Sequence, residues 1–402
     1  MFSTNKTAGK SGRQQQCHTK ARSMDWYLDE QSTALQYYAA TPGQRTFKVR
    51  VDAMCDYVRP LVLKAFIQRS KTWDIVAVDG DPRTPDLLWQ EYEDLNWKEI
   101  LRGQVVANSY CVRKGLSRKA QLSIFLSKYI RKNPACVLSK ALPQTLVVDL
   151  WDAFDQSLAD LGISFRNRLE SCLWEVKQVF DPENADTYVA GGRWIMKPSA
   201  TNKVRVYVVA VGALEVYVYQ NVLLLTSLNA YDPANVDDKL SHITNTYQQQ
   251  DHPNFVEADC VLLLEDMEAI LQEDRGLSPA QAKRVTTTML ADIGAITKDV
   301  FAAYRGEFSV FQPLPNCFEV YGVDFIVDED LRVWLLEVNP GPDFKQTGNR
   351  LQPLIQTLFE GMVDIVTDTF FVKPATQRVY PAFEKVYSDN WGTSATMTFR
   401  DD

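Results

Sequence analysis

Two apolar runs with a short polar break between them constrain this chain more than any other stretch: Tyr321-Gly-Val-Asp-Phe-Ile-Val-Asp328 and Arg332-Val-Trp-Leu-Leu-Glu-Val-Asn339. Runs of this length, rich in Val, Ile, Phe and Trp, form β-strands, and the tight connection at Glu329-Asp330-Leu331 folds them into an antiparallel hairpin. Both strands are apolar on both faces, so neither face is expected to be fully solvated. Each nevertheless carries a carboxylate, Asp324 and Glu337. Side chains alternate along a strand, so Glu337 and Asn339 point the same way. With the hairpin centred near Glu329 and Asp330, even positions of the first strand oppose odd positions of the second, and Asp324 joins that face. Two carboxylates and an amide converging in an apolar setting are unfavourable unless a cation neutralises them. Oxygen ligands of this kind suit Mg²⁺, which also keeps waters and takes phosphate oxygens. On spacing alone a plainer reading stands beside this one: a hairpin end whose acids reach solvent or an arginine.

Composition removes several alternatives. The 402 residues suggest two or three domains, and 46% hydrophobic with 23% charged residues is ordinary for a globular protein. No apolar run approaches a membrane span, and no secretory apolar segment follows the start. The seven cysteines (17, 55, 111, 136, 172, 260, 317) form no CxxC pair. Free thiols in a reducing, cytoplasmic setting are therefore expected, rather than a zinc site. With three histidines in the whole chain, any catalysis falls to carboxylates, lysines and arginines. A net charge of −8 argues against a nucleic-acid footprint.

The chain divides by composition into four parts. Residues 1–45 read as a disordered polar tail, of which the first 24 are basic and free of acids; a transit peptide is the alternative there. Residues 46–185 read as a smaller α/β domain, with strands at Lys48–Asp52 and Trp73–Asp79, a helix between Met54 and Arg69, and amphipathic helices over 149–161 and 167–179. Within it, Val112–Lys132 holds seven Lys and Arg and no acid. Its apolar stripe of Leu122, Phe125, Leu126, Tyr129 and Ile130, with Ser117 as N-cap, predicts a helix with a basic outer face. Such a face attracts phosphate or an acidic peptide, or is simply solvated. Residues 186–373 begin with a short strand at Trp194-Ile-Met-Lys-Pro. They continue through a hairpin of Val204–Val211 and Glu215–Tyr219 around Gly212, and a helix after Ser278-Pro279 with the stripe Met289, Ile293, Ile296, Val300 and Tyr304. The acid-bearing hairpin and a helix over Leu351–Phe370 close this part. Residues 374–402 read as an extended tail.

Taken in order, these pieces resemble the tubulin-tyrosine ligase family of the ATP-grasp superfamily, and its fungal members most. The residues that carry the resemblance are Trp194-Ile-Met-Lys-Pro-Ser-Ala, Val204-Arg-Val-Tyr-Val, His242-Ile-Thr-Asn, Gly322-Val-Asp-Phe and Leu336-Glu-Val-Asn-Pro-Gly-Pro, with Arg118-Lys-Ala-Gln-Leu upstream. The resemblance implies an α/β (α+β) fold: an ATP-grasp unit with a mixed, largely antiparallel sheet, preceded by the smaller α/β domain. It implies that Lys119, Lys197, Lys203, Thr244 and Asn245 line the ATP site, that Asp324, Glu337 and Asn339 hold Mg²⁺, and that Arg205 acts at the reacting carboxyl. The implied reaction joins a free amino acid, tyrosine first among the candidates, to a peptide carboxylate through an acylphosphate. The implied acceptor is the acidic C-terminal tail of tubulin, and the chain is expected to work as a cytoplasmic monomer without nucleic acid or membrane.

The chain departs from the family pattern at one place. After Lys203 the family continues with a glycine-rich loop, a helix and a strand leading to the adenine hinge. Here Val204-Arg205-Val-Tyr follows at once, so elements amounting to roughly 40 residues are missing and the ATP-grasp unit is incomplete. A loop of backbone N–H groups for the phosphates and one wall of the adenine pocket go with them. Two readings follow: a ligase of this type in a shortened form, active or inactive, or a non-catalytic relative that keeps its binding of tubulin or another acidic partner.

Overall fold

Residues 46–78, 83–147, 204–230, 251–345, 351–376 and 378–391, with single residues inside 174–178 and 235–249, are described by a computed structural model. Four parallel strands come first: β1 (Phe47–Asp52), β2 (Trp73–Ile75), β3 (Leu87–Gln90) and β4 (Val106–Ala107), ordered β2-β1-β3-β4. Helix α1 (Val58–Ile67) crosses from β1 to β2 and buries Leu61, Val62, Leu63, Ala65 and Phe66. Helix α2 (Lys119–Lys132) follows, with Arg118 at its N-cap position. Ser117, expected as its N-cap, instead ends the short turn Lys114–Ser117 and donates its hydroxyl to the Arg113 carbonyl. Leu122 and Leu126 are buried, and Phe125, Tyr129 and Ile130 pack on the core beside them.

The larger sheet is antiparallel. It contains β5 (Val204–Val211), β6 (Glu215–Tyr219), β7 (Leu223–Leu225), β8 (Val261–Leu263), β9 (Phe318–Val327), β10 (Val333–Pro340) and β11 (Phe383–Ser388). Its path runs β10-β9-β5-β6-β11, with β7 on β5 and β8 on β7. Gly212, at φ +62°, makes the β5–β6 turn in a conformation that only glycine adopts cheaply. Helices α3 (Leu264–Arg275) and α4 (Pro279–Ala302) follow β8, and α5 (Gln352–Thr367) follows β10. Ser278 caps α4 in a capping box with Gln281, with Pro279 at the first helical position. The stripe Met289, Ile293, Ile296 and Val300 of α4, continued by Tyr304 just past its end, is fully buried in one core cluster with Val206, Val208, Tyr321 and Val323 of the sheet. The two sheets are tied by a parallel bridge between Ala107 and Cys317 and by the edge-to-face pair Trp89–Phe318.

Residues after 374, expected as an extended tail, instead supply β11, the strand paired with β6 from Phe383 to Ser388. The segment is extended, but its backbone groups are spent on a ladder rather than on water. Cys55, Cys111, Cys136, Cys260 and Cys317 are free thiols. The predicted strand around Trp194, Lys197 and Lys203, the 149–161 helix and Asn245 lie outside the described residues, as does most of the 167–179 helix.

Candidate active site

The connection between β9 and β10 is a three-residue turn. Asp328 and Arg332 face each other, the Asp328 carbonyl accepts from Leu331 N at 3.0 Å, and Leu331 takes a left-handed conformation at φ +65°. This centres the hairpin on Asp330, not between Glu329 and Asp330. Val333, Trp334 and Leu335 accordingly oppose Val327, Ile326 and Phe325. Continued unchanged, that register would set Leu336 against Asp324 and turn Glu337 to the other face. The register instead shifts between Leu335 and Glu337, so Glu337 opposes Asp324 and Asn339 opposes Gly322. Leu336 is the extra residue of a β-bulge, a device that re-aims side chains at sheet edges.

Residues directly opposite on paired strands share a face. Arg205 opposes Asp324 on the other flank of β9, and Tyr207 opposes Gly322. Asp324, Glu337, Asn339, Arg205 and Tyr207 therefore lie on one face, turned away from the α4 core. Asp324 is 0% exposed and Glu337 5%. Asn339 Nδ2 donates to Asp324 Oδ2 at 2.7 Å and to Glu337 Oε1 at 3.0 Å, so one amide spans both acids. Arg205 Nε lies 3.5 Å from Asp324 Oδ1. Lys119, the first residue of α2, ion-pairs with Glu337 Oε2. Burial pulls the Lys119 ammonium below the usual lysine range, and the nearby Asp324 carboxylate partly restores it.

The donor chemistry fits a divalent cation. Two carboxylates and an amide oxygen, available by rotation of Asn339, are hard ligands of the kind Mg²⁺ takes. The amide nitrogen now sits where a positive partner is wanted. Among the described residues, Lys119 and Arg205 are the cations set against these two carboxylates. Among the described residues no group of three His, Cys, Asp or Glu assembles, so this mixed set carries the reading.

Three residues that the sequence reading did not single out hold this face together. Tyr207 and Arg205 both donate to the Asp343 carbonyl, each at 3.3 Å, and the Tyr207 ring stacks on Phe344 at 5.3 Å between centroids. Burial drives the Tyr207 phenol far above the usual tyrosine range, so it remains a neutral donor. A Cβ on Gly322 would fall 2.8 Å from Pro342 Cβ. The loop after Asn339 thus lies flat on the sheet at the one position with no side chain. The Pro340-Gly-Pro342 triplet was the visible signal, since it rules out further strand. Thr244 is half-buried just after the short helix Lys239–His242. Lys128, on the basic face of α2, pairs with Glu307, whereas Arg118, Arg131 and Lys132 are exposed.

Comparison with known proteins bears on this geometry. Residues 202–375 match the tubulin-tyrosine ligase family. A probable tubulin--tyrosine ligase of Schizosaccharomyces pombe is 28% identical over 403 aligned positions, which engage 84% of this chain and 95% of that protein. The probable tubulin--tyrosine ligase PBY1 of Saccharomyces cerevisiae is 29% identical over 70% of this chain, which spans 45% of that longer protein. A probable tubulin polyglutamylase of Mus musculus is 25% identical over 44% of this chain and 36% of its own length. Among solved structures, the C-terminal domain of K. lactis Pby1, described as an ATP-grasp enzyme interacting with the mRNA decapping enzyme Dcp2, superposes with a TM-score of 0.59 at 23% identity, covering 85% of this chain and 99% of that domain. Residues 202–375, which include Arg205, Asp324, Glu337 and Asn339, are therefore similar to the tubulin-tyrosine ligase family, and the fold is like that of an ATP-grasp enzyme domain.

Proposed function

We propose that this chain derives from an ATP- and Mg²⁺-dependent ligase that joins a free amino acid to a peptide carboxylate, tubulin's acidic tail being the first candidate acceptor. The carrying observation is the convergence of Asp324, Glu337 and Asn339 with Lys119 and Arg205 on one face of the sheet. Phosphoryl transfer asks little covalent chemistry of a protein; it asks for positioning and for positive charge at the transferring oxygens. In this reading Asp324, Glu337 and Asn339 would hold Mg²⁺, which when bound supplies Lewis-acid charge to the phosphates. Lys119 reaches the nucleotide phosphates from α2, together with Lys197 and Lys203. Thr244 and Asn245 line the nucleotide side. Arg205, pinned by the Asp343 carbonyl, steadies the reacting carboxyl as the γ-phosphoryl passes to it and ADP departs. The amine then attacks the activated carbonyl, forming the C–N bond as phosphate leaves and the nitrogen loses its proton. Tyrosine is the amino acid proposed first. The polyglutamylase relative keeps glutamate as an alternative. A cytoplasmic monomer is the working form we propose; no helix among the described residues is long and apolar enough to cross a membrane.

A second reading, that the chain binds a partner without catalysis, is favoured by the junction at Lys203–Val204. The alignment with the S. pombe relative runs over 403 positions yet engages 84% of a 402-residue chain, so at many positions that protein has a residue and this chain has none. Loss of the phosphate loop and adenine hinge would account for such gaps. Titration of the full chain with Mg-ATP, read by calorimetry, separates the two. Saturable, Mg²⁺-dependent binding supports the ligase. Absence of binding, with binding restored when the segment between Lys203 and Val204 is supplied from the S. pombe relative, assigns this form to the non-catalytic class.

A further inference from the structure

Lys119 reaches Glu337 from a position that its own helix does not favour. Arg118 makes no side-chain cap to α2, and the first turn holds no acid. A lysine at a helix N-terminus meets the positive end of the helix dipole and is unfavourable there. The segment before it, Tyr110–Arg118, supplies the hold instead. Gln312 N donates to the Val112 carbonyl and Gly115 N to the Val310 carbonyl, each at 2.8 Å. The Tyr304 hydroxyl donates to the Gly115 carbonyl at 2.7 Å. A Cβ on Gly115 would lie 2.8 Å from Tyr304 Cε1 and 3.0 Å from the Val310 oxygen, so the segment passes here without clearance.

Arg113 joins this segment to the large sheet. Its guanidinium ion-pairs with Glu319 and lies 4.0 Å over the Tyr92 ring. Glu319 shares the α4 side of β9 with Tyr321 and Val323, so it stands on the opposite face from Asp324. It is 2% exposed, and it also accepts from the Tyr321 hydroxyl at 2.7 Å and from Tyr110 N at 3.3 Å. The Arg113 carbonyl accepts from Leu116 N at 3.1 Å, from Ser117 N at 3.2 Å and from the Ser117 hydroxyl at 3.2 Å. These bonds close the turn that leads into Lys119. One residue thus ties β9 to the start of α2, from behind the face that carries the two acids. A buried ion pair adds little net stability over an apolar pair of similar size, and its best-attested use is to fix one arrangement among several. Glu319 is the one charged residue that β9 turns toward α4, and its cation sits in the segment that delivers Lys119.

We propose that Arg113 is a positioning residue: through Glu319 it sets the turn that presents Lys119 to Glu337. The role of Lys119 at phosphate rests on the ligase reading; its placement does not, and can be read without nucleotide. The full chain and its Arg113→Met/Glu319→Gln variant would be labelled briefly with acetic anhydride. Acetylation of Lys119 and of Lys64, an exposed lysine on α1, would be followed by peptide mass spectrometry. The variant removes both charges and so leaves neither buried alone. Freed from its turn, Lys119 should be acetylated at least fivefold faster relative to Lys64. Tyr321→Phe takes one hydrogen bond from Glu319 and leaves the core ring in place. It should raise the same ratio at least twofold, and it decides the question if the double variant does not fold. An ion pair that only stabilises the fold would lower the urea midpoint and leave the ratio unchanged, and that result in a folded variant overturns the proposal. Where the wild type binds Mg-ATP, the double variant should bind it at least fivefold more weakly, and undiminished affinity likewise overturns the proposal. Absence of binding by the wild type counts against the ligase reading and leaves the acetylation ratio to judge the placement.

Discussion

Asp324 and Glu337 face each other across the β9–β10 ladder because Leu336 is one residue too many for the register that the turn dictates. The three-residue turn would send Glu337 to the α4 side, where the core is apolar. There its charge would have to be desolvated beside Tyr321 and Val323. The bulge places it instead beside Asn339 Nδ2, within reach of Lys119. Among the described residues, Lys119, Arg205 and one amide answer the two carboxylates placed side by side. Disturbing any member should therefore be felt by the others.

Replacing Asp324 by Ala leaves Arg205 and Asn339 facing an empty, dry position. Breaking a buried pair from one side is strongly unfavourable, so a loss of about 3 kcal/mol is expected in urea unfolding. Asp324→Asn keeps the shape and should cost less than half of that. It should nevertheless remove any Mg²⁺-dependent rise in the melting temperature with nucleotide, because the charge that draws the cation is gone. Equal melting shifts in the wild type and Asp324→Asn would count against a metal role for this residue.

Gly322→Ala tests the roof over the site. The added methyl would lie 2.8 Å from Pro342 Cβ, so the Pro340–Phe344 loop must lift. Overpacking of this kind costs about 1–3 kcal/mol. Lifting the loop also withdraws the Asp343 carbonyl from Arg205 and Tyr207, so ligation, where the chain supports it, should fall by more than the stability change accounts for. The pairing of a moderate stability loss with a larger activity loss is the outcome to look for, using Gly294→Ala, whose Cβ would meet Val386 Cγ1 at 3.2 Å where α4 packs on β11, as the comparison.

How much of this was legible in the sequence depends on which interactions set each feature. The α4 stripe and its start after Ser278 are local, so periodicity and a proline at the first helical position sufficed. The shared face of Asp324, Glu337 and Asn339 was also read correctly, but through two compensating differences: the hairpin centre lies half a residue further on, and Leu336 restores the parity. A bulge is set by what the side chains on either face require, not by the strand's own residues. Tyr207 and Asp343 were missed for the same reason, since a main-chain carbonyl as the anchor for two side chains leaves no sequence signature. Residues 383–388 were read as tail because Phe383-Glu-Lys-Val-Tyr-Ser is short, half polar and preceded by prolines. Its strand character comes from the β6 edge it covers.

The turn itself makes a pH prediction. The Asp328 carboxylate accepts from the Trp334 indole and the Arg332 amide, each at 2.9 Å, and these hydrogen bonds, the indole's first, hold it below the usual aspartate range. A carboxylate lower in the folded than in the unfolded state adds stability above its unfolded pKa of about 3.9, and that stability is lost as pH falls through the lower folded value. Asp328→Asn should therefore be less stable than the wild type near neutrality, with the gap closing as pH falls through the lowered folded-state value. Urea unfolding across the acid range, followed by Trp fluorescence, gives both curves. A gap that stays constant with pH would show that the hydrogen bonds do not depend on the charge.

Truncation before Pro374 should not give a folded core, although the sequence suggests a dispensable tail. Phe383 is buried and tilts against Tyr219 at 5.1 Å between centroids. Its ring lies so close to α5 that a Cβ on Gly361 would come within 2.5 Å of Cε2. Lys385 adds a 2.7 Å ion pair to Glu215. Removing β11 would expose this apolar surface together with the unpaired edge of β6, a template for association with other chains. Phe383→Ala isolates the packing part and should cost about 3–5 kcal/mol; Lys385→Ala, half-exposed, should cost well under about 1 kcal/mol. The truncated chain should elute as soluble aggregate in size-exclusion chromatography. A truncated chain that stays monomeric and unfolds at the wild-type urea midpoint would mean that β11 merely decorates the sheet.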